Sequence, residues 1–207
     1  MTRLLVFTRT AGYRHASIPA AVAAVSHFPE VRAEHSEDPS ALHDLTSFDV
    51  VMFLSTTDDV LDERGRAELR SFVLGGGGFA GVHSAAGTEL SNPWYGELLG
   101  ARFRGHPDGV QQATLLGPAG QEWKFTDEWY GFDQVRDDLE ILLTVDESTY
   151  APGDYAMPAP HPQAWQRRVG RGRSWYTALG HTDQAWADPD FLAHVRSGIA
   201  YAAGSPS

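Results

Sequence analysis

Apolar runs and polar loops alternate along the first hundred residues. Leu4-Leu5-Val6-Phe7 is apolar throughout and passes into Thr8-Arg9-Thr10 and Gly12, which predicts a strand buried on both faces that empties into a loop. Ser17 is a candidate cap for a helix that carries Pro19 in its first turn and continues from Ala20 to His27, where Pro29 stops it. Val31 to Ser36 reads as a weaker strand, and Asp49 to Ser55 as a stronger one with Val50-Val51-Met52-Phe53-Leu54 at its centre. Asp62 opens a second helix whose apolar face is Leu61, Leu69, Phe72 and Val73, and the run Gly75 to Gly78 ends it where left-handed backbone angles are needed. Phe79-Ala80-Gly81-Val82 is the next strand; it breaks at His83-Ser84-Ala85 into a turn leading toward Trp94, Tyr95 and Leu98-Leu99.

A βα series of this kind predicts an α/β protein built on an open, mostly parallel sheet with helices on both faces. Ligands of such sheets sit outside the carboxyl ends of the strands, so the site is expected where Thr8 to His15, Ser55 to Asp58 and His83 to Ala85 converge. Beyond residue 100 the second half is richer in β structure. Val110 to Leu116 and Leu139 to Val145 read as strands, and Gln163 to Val169 and Ser174 to Leu179 flank Gly170-Arg171-Gly172-Arg173 as extra β-hairpin elements. A last helix is expected from near Pro189 to Ala203, with Phe191, Leu192, Val195 and Ile199 at helical spacing, before a loose tail from Gly204 to Ser207. Without repeats or linkers, residues 1–207 are read as a single domain.

Composition narrows the function. With 42% hydrophobic and 21% charged residues the chain is ordinary globular protein, and a net charge of −11 argues against nucleic acid or an anionic membrane as partner. Zero cysteines exclude disulfides, thiolate metal sites and every cysteine nucleophile. The apolar run after Met1 is too short for a signal peptide and no stretch is long enough to span a membrane, so a cytoplasmic location is expected. Nine histidines then become the main candidates for acid–base or metal chemistry.

Gly81-Val82-His83-Ser84-Ala85 has the shape of a nucleophile elbow, in which small neighbours let the central side chain project into a cleft. Here that residue is His83, which either transfers protons or is hydrogen-bonded and inert; Ser84 lies one position off the apex. Asp127-Glu128-Trp129-Tyr130 sets two carboxylates beside two aromatics, and in an extended segment only one can face a given cleft; Glu128 is favoured for acid–base work. His106, His161 and His181 adjoin proline or glycine, and His181 follows a strand where sites gather. His27, His35, His43 and His194 receive no role. No His-x-x-x-His spacing occurs, so no metal or other cofactor is assigned, and a divalent ion would have to be gathered from distant segments. Gly170 to Arg173 lacks the lysine of a phosphate loop and is better read as a turn. Aromatics such as Tyr130 and Trp165 near candidate loops would suit a sugar's ring faces, although most aromatics are core.

The segments Phe7 to His15, Gly76 to Ala85, Asp127 to Tyr130, His161 to Trp165 and Gly172 to His181, in this order, resemble the ThuA-like, or trehalose-utilisation, family over essentially the whole chain. The resemblance implies a flavodoxin-like sheet of the class I glutamine amidotransferase-like superfamily and a link to disaccharides such as trehalose or their keto-sugar intermediates. Amidotransferase relatives hold a cysteine where His83 stands, so glutamine hydrolysis through a thioester is excluded. The family motifs point to His15, His83, Glu128, His161 and His181 as the cleft set. The resulting expectation is acid–base hydrolysis or isomerisation of a small-molecule carbohydrate, with His83, Glu128 and His181 catalytic and His15, Asp127, Tyr130, His161 and Trp165 meeting the substrate. A noncatalytic sugar-binding or regulatory domain and a metal-dependent hydrolase are the alternatives, and a homo-oligomer is left open.

Overall fold

The computed structural model describes residues 1–204, so the expected loose tail lies, past Gly204, outside the described residues. In chain order the elements are β1 (Thr2–Phe7), α1 (Ile18–Ser26), β2 (Val31–Ser36), β3 (Val50–Leu54), α2 (Glu63–Gly75), β4 (Gly78–Val82) and α3 (Pro93–Leu99). There follow β5 (Arg102–Gly105), β6 (Gln111–Leu116), β7 (Glu122–Asp127), β8 (Gly131–Asp133), β9 (Glu140–Asp146), β10 (His161–Val169), β11 (Gly172–Thr177) and α4 (Pro189–Ala202).

One nine-stranded sheet runs in the order β2-β1-β3-β4-β11-β10-β9-β6-β7, and β5 pairs with β8 in a separate ribbon. The first five strands of that order are mutually parallel, whereas β10, β9, β6 and β7 pair antiparallel with their neighbours. The parallel strands are apolar on both faces because helices cover both. Leu4 and Val6 of β1 pack toward α1 and α4 with Ile18, Val25, Val195 and Ile199, while Leu5 and Phe7 pack toward α2 and α3 with Leu69, Val73 and Leu98. Burying each such side chain contributes about 1.5–3 kcal/mol.

Several local expectations hold in detail. Asp62 caps α2 through the Gly65 amide at 2.7 Å. Of the four glycines after it, Gly76 takes the left-handed turn at φ 123°, whereas Gly78 is required for space, since a Cβ there would stand 2.4 Å from the Ala202 carbonyl oxygen. Ser17 differs from expectation. Its hydroxyl does not cap α1 but donates to the Gly180 carbonyl at 3.2 Å, tying that helix to the loop after β11. The hairpin strands are also displaced along the chain: β10 begins at His161, so His161 and Pro162 are strand residues, and β11 ends at Thr177, which frees Ala178 to His181 as a loop. No described helix is long and apolar enough to cross a membrane.

Candidate functional site

Because β1, β3, β4 and β11 are parallel, the loops that follow them gather at one edge of the sheet. They deliver His15, Ser55 to Asp58, His83 and His181 respectively. Backbone strain concentrates there: Ser55, Asp58 and His83 have φ of 50°, 58° and 54°, in the left-handed region that non-glycine residues avoid at a cost of about 1–3 kcal/mol each. His83 therefore occupies the tight bend expected of an elbow, at the junction between β4 and a 3-10 turn over His83–Gly87. The bend is held on both sides, since the Tyr176 hydroxyl donates to the His83 carbonyl at 2.8 Å and the His83 Nδ1 donates to the Ala178 carbonyl at 2.6 Å.

Fixing the proton on Nδ1 leaves the His83 Nε2 directed into a cluster. The Tyr130 hydroxyl stands 2.8 Å from it, His15 Nε2 at 3.1 Å, His181 Nδ1 at 3.2 Å and Glu128 Oε2 at 3.5 Å. Glu128 Oε2 is also 3.2 Å from His181 Nδ1 and 3.5 Å from His106 Nε2. Glu128 and Tyr130 come from the segment between β7 and β8, on the antiparallel side of the molecule. Asp127 positions the cluster without joining it. Fully buried, its carboxylate accepts from the backbone amides of Gly180 at 2.8 Å, Glu128 at 2.9 Å and His181 at 3.2 Å, clamping two site-bearing segments together.

The electrostatics follow from this packing. Burial, and after it the neighbouring imidazoles, push His15 down to about 3, so it is a neutral base. Burial would raise the Glu128 carboxyl, but the imidazoles beside it, His181 before His83, outweigh it and hold the group well below the usual carboxylate range. The hydrogen bond to Glu128 raises His181. Burial keeps Tyr130 a phenol and pushes Asp127 upward.

Above the cluster opens a cavity of about 500 Å³, within the ordinary range for small-molecule sites. Tyr13, His15, Thr57, Asp58, Ser84, Phe103, His106, Glu128, Tyr130 and His181 line it, and no lysine or arginine does among the described residues. His83 lies beneath this lining, fully buried.

Of the residues proposed from sequence, His15, Glu128, Tyr130 and His181 reach the cavity and His83 meets them from below. Three do not. Trp165 is a core residue, its indole N–H donating to the Leu99 carbonyl at 2.8 Å and its ring packed against Tyr176 and Phe132. His161 is buried behind the site, Nε2 2.8 Å from the Tyr130 carbonyl and Nδ1 2.7 Å from the Glu147 carboxylate, so it braces the backbone of Tyr130. Asp127 contacts backbone amides, as described. Sequence reasoning also left His106 without a role, although its ring stacks on Tyr130 at 5.4 Å and meets Glu128. The His106-Pro107 pair was the only local signal. Tyr13 and Asp58 fall inside the loops expected to converge.

Residues 3–202 match the ThuA family, described as trehalose utilisation. No curated protein matches the chain. A ThuA-like protein from Parabacteroides merdae has the same fold, with a TM-score of 0.78 at 17% identity over 100% of this chain and 91% of that one. A ThuA-like protein from Bacteroides uniformis gives 0.73 at 20% identity over 94% and 88%. The β-galactosidase of Bacillus circulans sp. alkalophilus gives 0.63 at 13% identity, over 99% of this chain but 31% of that one. At these identities the likeness is one of fold.

Proposed function

This chain belongs to the ThuA family, trehalose utilisation, and from that premise we propose that it is an enzyme acting on an uncharged disaccharide or its keto derivative by hydrolysis or isomerisation. The observation that supports this most is the convergence of His15, His83, His181 and Glu128 directly under a cavity of small-molecule size. Faces of Tyr13, Phe103 and Tyr130 offer stacking surface to a sugar's C–H faces, while Thr57, Asp58 and His106 offer partners for hydroxyls. Among the described residues no lysine or arginine lines the cavity, so no guanidinium or ammonium is placed to grip a phosphate or sugar-acid carboxylate. An uncharged ligand suits both the lining and the net charge of −11.

Either reaction needs one proton delivered and one removed. Hydrolysis protonates the departing glycosidic oxygen and deprotonates water; isomerisation of a keto-sugar shifts a proton between neighbouring carbons through an enediol. Groups that face the cavity do this work directly: His106 and the Tyr130 phenol exchange protons with the substrate, while Glu128 and His15, both held well below their ordinary values, orient it. His83 supports them from beneath, its Nε2 against the Tyr130 hydroxyl. Glutamine hydrolysis is outside this repertoire because the elbow carries an imidazole and the chain has no cysteine.

The test is product analysis by chromatography on a panel of neutral disaccharides and their keto derivatives, with calorimetry in parallel. Turnover of a neutral sugar that falls by about 100-fold or more in Tyr130→Phe or His106→Gln is expected. Saturable binding without products would make the cleft a noncatalytic sugar-binding site, and failure to bind any neutral sugar would end the proposal.

A further inference from the structure

We propose that His15 Nε2, His83 Nε2, His181 Nδ1 and Glu128 Oε2 are the four protein ligands of one divalent transition-metal ion at the floor of the cleft. The inference rests on the site of the function proposed above, and concerns what makes that site reactive rather than which sugar enters it.

Proton counting leads to it. With Nδ1 donating to the Ala178 carbonyl, neutral His83 has a single lone pair on Nε2, yet three cluster atoms and the Tyr130 hydroxyl stand within 3.5 Å of it. A lone pair takes one hydrogen bond well. If Nε2 is protonated instead, its one hydrogen serves one neighbour. In either state most of these contacts set nitrogen against nitrogen, or nitrogen against carboxylate oxygen, with no proton between them. A cation central to the four atoms uses every lone pair at once.

The separations agree. For metal–nitrogen and metal–oxygen distances of about 2.0–2.2 Å, ligand atoms at angles between octahedral and tetrahedral stand about 2.8–3.6 Å apart. Four of the six pairs measure 3.1, 3.2, 3.2 and 3.5 Å, and the remaining two, from His15 to His181 and to Glu128, lie within 4.8 Å.

The surroundings are those of an oriented ligand shell. A metal-bound imidazole has its far nitrogen fixed by a carbonyl or carboxylate, as His83 has through Ala178. The His181 backbone is held by Asp127, and Ser17 secures the adjoining Gly180 carbonyl. Three nitrogens and one carboxylate oxygen, with no thiolate, suit Zn²⁺, Co²⁺, Ni²⁺, Mn²⁺ or Fe²⁺ and not the all-oxygen preference of Ca²⁺ or Mg²⁺. His15, Glu128 and His181 line the cavity, so a bound ion would be reachable by a hydroxyl or carbonyl oxygen of the sugar. It would act there as a Lewis acid, leaving proton transfer to Tyr130 and His106.

Elemental analysis of the intact protein purified without chelator, followed by stripping and titration with Zn²⁺ and Co²⁺, tests this. We expect one ion per chain, and visible absorption bands when Co²⁺ is added, characteristic of nitrogen-coordinated cobalt. His181→Ala, a change at a partly exposed loop position, should weaken Zn²⁺ binding beyond the about 10–100-fold cost of losing an outer-shell partner, as should Glu128→Gln. The inference is overturned if folded parent protein takes up no stoichiometric metal, or if both ligand variants bind it with parental affinity. Sugar turnover at the full rate by stripped protein would likewise end the metal centre while leaving the proposed function standing. Stoichiometric metal with no sugar turnover would support the centre and remove the function.

Discussion

The two halves of the sheet are built on different terms. In the parallel half every residue of β3 and β4 is buried, and β1 buries its last four. In the antiparallel half β9 buries only Val145 among seven residues, and β7 buries only Phe125 and Asp127 among six. The first half centres on a two-sided core whose strand ends present loops; the second, beyond the largely buried β10, is a half-exposed extension that brings in Glu128 and Tyr130 on the segment between β7 and β8. The cleft lies along their seam. His15 and His83 come from the parallel side, Glu128 and Tyr130 from the antiparallel side, and His181 from the loop after β11, the last parallel strand before the sheet turns antiparallel. The fully buried strands thus come from one half, whereas the groups of the cleft come from both.

Substitutions can break that comparison. The largest effect is expected for Phe53→Ala in β3, where a ring packed against Phe7, Phe79 and Tyr95 is lost from a fully buried position. Urea unfolding should show a loss of about 3–5 kcal/mol. Asp127→Asn comes next and acts at the seam. An amide can offer only one oxygen to the three backbone N–H groups that Asp127 serves, so a donor is turned against a donor. About 1–3 kcal/mol of stability should be lost, together with metal affinity and turnover. A parental urea midpoint would show that the clamp is dispensable.

A pH effect should follow in size. His194 on α4 packs against Trp175, its Nε2 is enclosed without a hydrogen-bond partner, and burial lowers it to about 4. The unfolded chain takes up this proton near 6.5 while the folded one resists, so the associated stability is complete above about 6.5 and is lost as pH falls toward 4. Since the residue as a whole is only partly buried, the loss should be about 1–2 kcal/mol. Urea midpoints at pH 7.5 and 4.5 should differ less in His194→Gln than in the parent; an equal difference would remove His194 as the cause. The smallest effect is expected for Leu142→Ala in half-exposed β9, under about 1.5 kcal/mol. If Leu142→Ala matched Phe53→Ala, the contrast between the halves would be wrong.

How far the fold could be read from sequence tracks the same contrast. Leu4 to Phe7, Val50 to Leu54 and Phe79 to Val82 are continuous apolar runs because both faces of those strands are covered. The strand Glu122–Asp127 carries no continuous apolar run because its solvent face is polar, and Arg102–Gly105 and Gly131–Asp133 are too short for any period to develop. In the site, the loops after three strands were foreseeable from topology, and His83 from its small neighbours. His161 and Trp165 were misplaced for one reason: a motif shows that a residue is constrained, not which side of the strand it faces. His161 turns toward Glu147, and Trp165 turns into the core against Phe132 and Tyr176.

Taken alone, the amino-acid sequence determined the alternation of helix and parallel strand, the edge at which the histidine-bearing loops gather, and the absence of thiol chemistry. These depend on local periodicity and residue type. Tertiary structure decided that three imidazole nitrogens and a carboxylate oxygen from segments up to 166 positions apart, His15 to His181, converge within 4.8 Å, and that Asp127 holds the frame while Glu128 faces the cleft. Such convergence depends on strand order and on which way each loop turns, and neither leaves a period in the chain.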